Sequence, residues 1–148
     1  MNTKKFLIGG IVGGVVYFLL GWLFYGHLLA QYFQGHPGST ATGVDRAMDQ
    51  FIWWALILGN LLSGFLLAYV FSKSGVSSLS SGLITGCILG FLMSSSFDLI
   101  RYATSNIISK HWACADVATF TVISAITGAV VGAVMGMGNK TTVSNTNV

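Results

Sequence analysis

FLIGGIVGGVVYFLLGWLFYGHLLA, residues Phe6 to Ala30, is the first long apolar run of the chain and decides the fold. It follows Lys4-Lys5, and His27 is its only side chain that titrates near neutral pH. About 20 consecutive apolar residues cross a bilayer as a helix, so this run is long enough to span. Gly9, Gly10, Gly13 and Gly14 make two overlapping Gly-x-x-x-Gly pairs, and Gly21 follows Gly14 two turns later. A ridge without side chains lets a second helix come close, and in lipid such packing holds helices together.

The whole chain carries the same signature. Of 148 residues, 53% are hydrophobic and 7% charged, and the mean hydropathy is +0.74. Soluble domains run near a quarter charged, so this composition excludes a water-soluble globular protein and points to a polytopic membrane protein. The net charge of +3 comes from seven scattered basic residues. They form no nucleic-acid patch and read as flanking charges that orient membrane segments. The Lys pair also fits a signal peptide, but the apolar core exceeds the usual 7–15 residues, and a retained anchor is expected.

Three further runs follow. A connector holding Gly35-His36-Pro37-Gly38-Ser39-Thr40 has turn chemistry. Thr42-x-x-Asp45 then resembles a capping box, which predicts an amphipathic helix from near Thr42 leading into run two, 51–71. Lys73-Ser74-Gly75 ends run two. Run three is expected at about 76–100, with a polar extension toward Ile108, and run four at about 112–137. The Asn/Thr/Ser-rich tail, 138–148, carries no span. The expected fold is therefore an all-α, four-transmembrane-helix bundle, one membrane domain with both termini on one side. Lys4, Lys5, Lys73 and Lys140 share that side, which the positive-inside rule assigns to the cytoplasm of a bacterial cell. Trp22, Trp53, Trp54 and Trp112 then lie toward the outer half and suit an interfacial belt.

The halves echo one another. A shift of 72 lays Gly10 and Gly14 on Gly82 and Gly86, and a shift of 69 lays Gly59 and Ser63 on Gly128 and Gly132. A two-span repeat of this kind would relate the halves by an axis along the membrane normal.

The stretch Gly21-Trp22-Leu23-Phe24-Tyr25-Gly26, after a glycine-rich span, resembles a family of small four-span bacterial integral membrane proteins grouped as a domain of unknown function. Their first span ends in a similar Gly-x-Leu-Trp/Phe-Tyr stretch, and Phe24 stands here where a Trp is common. The resemblance implies the four-span layout. The family has no agreed activity, so it carries no functional residues over.

Polar residues inside spans are the candidates for chemistry. Cys87, Gly90, Ser94, Asp98 and Arg101 project within about 80° of one another on a helix and run from mid-membrane to the outer surface. One reading is a polar crevice open outward, with Asn60 of run two deeper in it. The other is a helix seam of small residues, with Asp98 and Arg101 paired at its end. Gly82, Gly86, Gly90, Gly128 and Gly132 are expected to pack helices together, as are Gly10, Gly14 and Gly21. His27, His111 and Cys114 are the thinnest candidate set, three ligands at the outer face that could hold zinc. Cys87 and Cys114 lie too far apart in depth for a disulfide and read as free thiols. There is no Cys-x-x-Cys, no His-Glu-x-x-His and no Gly-rich loop ending in Lys-Ser/Thr, and no cofactor is expected.

Two functions compete. The first is a non-enzymatic bundle that self-associates or serves as an accessory subunit among membrane lipids and other membrane proteins, because glycine exceeds what one bundle needs. The second is a small-solute or ion transporter or channel with the polar crevice; an outer-face metal site or enzyme is a third. The topology has a direct check. Green fluorescent protein fused after Val148 is expected to fluoresce, and alkaline phosphatase at the same position to stay inactive; the reverse pair would invert the orientation.

Overall fold

Every long apolar run forms a helix, because lipid offers no partner to backbone N–H and C=O groups and a helix satisfies them internally. The computed structural model describes residues 2–38, 46 and 48–137. Helix α1 (Thr3–Leu23) continues as a π-helical turn, Phe24–Leu28, and breaks at Leu29 before the short α2 (Ala30–Gly35). After a 3₁₀ turn at Met48–Gln50 come α3 (Trp53–Ser74), α4 (Leu79–Thr104) and α5 (Lys110–Gly136). Four of these segments, α1 with its π turn, α3, α4 and α5, are long and apolar enough to cross a membrane. The protein is an all-α membrane-type helix bundle.

The boundaries follow local chemistry. Asn2 caps α1 by accepting from the Lys5 amide at 3.2 Å, and Lys5 Nζ donates to the Met135 carbonyl near the end of α5 at 3.0 Å. That places a cation where α5 exposes unpaired carbonyls. Helix α3 ends on Gly75 at φ 70, a left-handed conformation that favours glycine, and Val76 N–H closes back on Phe71 at 3.1 Å. Ser78 and Ser81 form a reciprocal capping box, so α4 begins at Leu79 and residues 76–78 lie outside it. Helix α4 stops at Thr104 and does not extend to Ile108; the Ser105 hydroxyl turns back onto the Arg101 carbonyl at 2.8 Å. Ser109 caps α5, which starts at Lys110, two residues before Trp112, and the Ser109 hydroxyl donates to the His36 carbonyl at 2.8 Å. With the Pro37–Ile108 bridge, this ties the first connector to the α4–α5 turn at the end of the bundle opposite the N-terminus, the far end.

One expectation fails. No continuous helix leads from the connector into run two, since Phe51 and Ile52 are non-helical and Trp53 is the first helical residue. Ile52 has no side chain able to accept from the first-turn amides, which leaves the join uncapped. The capping box at Thr42-x-x-Asp45 lies outside the described residues.

The bundle is built as two hairpin pairs, α1 with α3 and α4 with α5, joined where α1 packs on α5. Small residues face inward and large ones face lipid. The buried residues of α4 are Gly82, Gly86, Gly90, Ser94 and Asp98, one per turn, while Leu83, Ile84, Ile88, Phe91 and Leu92 are exposed. A methyl group added to Gly128 would lie 2.9 Å from Gly86 Cα, and one on Gly132 2.9 Å from Gly82 Cα. In the other pair, Gly64 of α3 sits against the backbone of Gly10, Gly13 and Gly14, and a methyl on Gly14 would meet Leu61 Cα at 2.7 Å. The counterpart of Gly128 is thus Gly64. Gly59, which the shift of 69 aligned with Gly128, has nothing within 4 Å. Helix α5 is central: 44% of its apolar window is buried, against 28% or less for the others. Tyr17, Leu67, Ala68, Phe71, Ile123 and Val131 fill the space between the pairs.

Gly128→Val is expected to destabilise the bundle by about 1–3 kcal/mol, the usual penalty for overpacking a tight contact. Gly59→Ala is expected to be neutral or stabilising by up to about 1 kcal/mol through helix propensity alone. Denaturant unfolding in mixed micelles measures both, and equal effects would contradict the packing described.

Candidate functional site

Beyond their glycine contact, α1 and α3 part toward the far end. Gly21 marks the separation, since nothing lies within 4 Å of a methyl built there. The gap is a cavity of about 520 Å³, walled by Phe18, Trp22, Tyr25 and Trp53, with Tyr17 and Phe120 at its inner limit. Its polar groups are few: Gln34 and Arg46 from the connector, and Asn60 from α3. The Asn60 amide N–H₂ donates to its own helix at the Leu56 carbonyl, 2.8 Å away, which leaves the side-chain oxygen as an acceptor for another group. The π turn lies in this wall. Leu29 N–H bonds the Phe24 carbonyl at 2.8 Å, an i→i+5 closure that inserts a residue and re-aims Tyr25 and Gly26 toward the cavity. The inner limit is fixed by Tyr17, whose hydroxyl donates to Ser124 Oγ at 3.1 Å and whose ring stacks on Phe120 at 5.9 Å.

A second polar group of side chains lies where α4, α5 and the π turn of α1 meet. Asp98 is 2% exposed, and its Oδ2 has no hydrogen-bond partner among the described residues. The Asp116 carboxyl lies within hydrogen-bonding reach of it. The Tyr25 hydroxyl lies close to Asp116. Arg101 contributes its field to Asp98 from the next turn. Its guanidinium stacks over Trp112, 5.6 Å from the ring centre, and no Asp98–Arg101 ion pair forms. Asp98 and Asp116 line an open cleft of about 700 Å³ between α4 and α5, whose other walls include Leu92, Phe97, Ile100 and Phe120.

The sequence-derived crevice is therefore divided in two. Asn60 belongs to the α1–α3 cavity; Ser94 and Asp98 belong to the α4–α5 cleft; Arg101 lines neither. The Ser94 hydroxyl is engaged with the Gly90 carbonyl of its own helix at 2.7 Å. Of the packing glycines, Gly10, Gly14, Gly82, Gly86, Gly90, Gly128 and Gly132 lie in helix contacts, whereas Gly21 faces the cavity. His27, His111 and Cys114 do not converge. The His27 ring packs edge-on against Trp22 at 4.3 Å, and His111 neighbours His36 at 5.9 Å. Among the described residues no three His, Cys, Asp or Glu side chains could hold a metal ion. Cys87 and Cys114 are free thiols.

Tyr25 is absent from the sequence-derived site, whereas the sequence places Asp116 with Asp98 near one outer level, and the helix register explains why they meet. Gly82 meets Gly132, Gly86 meets Gly128 and Gly90 meets Ser124, and each pair is equidistant from Ile107 in the α4–α5 turn. Asp98 and Asp116 are equidistant from the same residue, so an antiparallel hairpin in that register brings them to one level. Tyr25 gave no signal, because the π turn that aims it has no composition cue.

The chain matches no protein-family model, no curated protein and no solved structure.

Two hydroxyl deletions separate the roles. Tyr17→Phe is expected to cost about 0.6 kcal/mol, the mean for a hydrogen bond between membrane helices. Tyr25→Phe is expected to cost more, about 1–3 kcal/mol, because it removes the hydroxyl group beside the Asp116 carboxyl. Unfolding of the two variants in the same micelles decides it; equal losses would remove Tyr25 from the carboxyl site.

Proposed function

We propose that this membrane protein binds an amphipathic small solute in the α1–α3 cavity, as a carrier-type protein opening to the outer side of a bacterial cytoplasmic membrane. The observation that carries this reading is the cavity itself. Its volume suits a small organic molecule, its walls are aromatic, and only a few polar groups converge on it, which is the usual make-up of a small-molecule site. An apolar body stacks among Trp22, Tyr25 and Trp53, a donor group meets the Asn60 oxygen, and Arg46 at the rim favours an anionic end.

Self-association draws less support. Most glycines that seemed in excess of one bundle's needs face partners within the chain; those with open space among the described residues are Gly21, at the cavity, Gly35 and Gly75, at helix ends, and Gly59, on the exposed face of α3.

Gly21→Phe tests the reading, because the added ring enters open space and leaves the glycine contacts intact. In lipid nanodiscs, binding of N-phenylnaphthylamine by energy transfer from tryptophan is expected to weaken at least tenfold, with the unfolding midpoint unchanged. Binding that survives the filled cavity at full strength would refute the assignment.

A further inference from the structure

The α4–α5 cleft is a different site from the cavity above. A carboxyl group that is almost wholly buried, with one oxygen unpartnered, is costly in an apolar setting unless something occupies it. Asp98 is held there by its helix: it is the last member of the one-per-turn stripe that packs α4 on α5, so it cannot swing to solvent without breaking the seam. Asp116 comes to it from α5 in the glycine register, and Tyr25 comes from α1. The groups facing Asp98 are therefore Arg101 on its own helix, Asp116 on α5, and Tyr25 behind Asp116.

The walls restrict what can occupy the cleft. Among the described residues no three His, Cys, Asp or Glu side chains converge on one point, so no carboxylate-rich shell for a metal ion forms there. The cleft is open, about 700 Å³, and bounded by Leu92, Phe97 and Ile100, all exposed on the face that meets lipid. Ring faces and aliphatic side chains around a buried anion suit a cation whose charge is carried on a large apolar body. Such a molecule partitions into the bilayer and reaches the cleft sideways.

We propose that the Asp98–Asp116 pair is a binding site for a lipophilic organic monocation, entering the α4–α5 cleft from the membrane. The carboxyl groups meet the charge of the cation, and the cleft walls meet its apolar body.

Tetraphenylphosphonium is the probe, with the full chain in nanodiscs and binding followed by calorimetry. Wild-type protein is expected to bind. Asp98→Asn should lose at least tenfold in affinity. Should Asp98→Asn misfold, Ile100→Trp, which crowds the cleft from an exposed position, should lose affinity with the carboxyl groups intact. Gly21→Phe, which fills the other cavity, should bind the probe as wild type does. No binding by wild type, full affinity in both Asp98→Asn and Ile100→Trp, or loss of binding in Gly21→Phe would each overturn the assignment.

Discussion

Helix backbones in direct contact are the constraint from which the rest of this structure follows. Lipid tails are as apolar as leucine side chains, so burying leucine gives no advantage in a bilayer, and helices are held by close van der Waals approach. Gly82 and Gly86 against Gly132 and Gly128, and Gly64 against Gly10, Gly13 and Gly14, provide two such approaches. Each runs over a little more than one helical turn. Each fixes the register of its pair, and the register determines which polar residues meet further along the helices.

The two pairs use the contact differently. In α4–α5 the small-residue stripe continues past the glycines through Ser94 to Asp98, so a carboxyl group is drawn into the seam beside the open cleft. In α1–α3 the stripe stops. Beyond Gly14 the facing positions become large, and the helices separate around Gly21. A cavity on one side and a buried carboxyl pair on the other are two outcomes of one rule: where small residues persist helices touch, and where they end helices part.

The fold was legible because hydrophobic length in lipid leaves almost no alternative to a helix, and serine caps and Gly75 set boundaries by local chemistry. The site was legible only in fragments. Asp98, Ser94 and Asn60 stand out as polar residues in apolar runs, but placing them in one crevice assumed that runs two and three face each other. They do not: α3 lies against α1 and barely meets α4, a matter of which glycine faces match, which a single periodicity does not reveal. Gly59 shows the same limit. Its spacing to Ser63 mimics a packing motif, yet the register set by Gly64 leaves it without a contact. The π turn lay further out of reach, since a one-residue insertion in a helix depends on the packing around it.

Tyr25 joins the two polar regions. Its side chain lines the α1–α3 cavity, and its hydroxyl lies close to Asp116, which neighbours Asp98 in the cleft. Phe120 likewise borders both spaces. One aromatic layer thus separates the two spaces, and the glycine seams fix the helices that carry it.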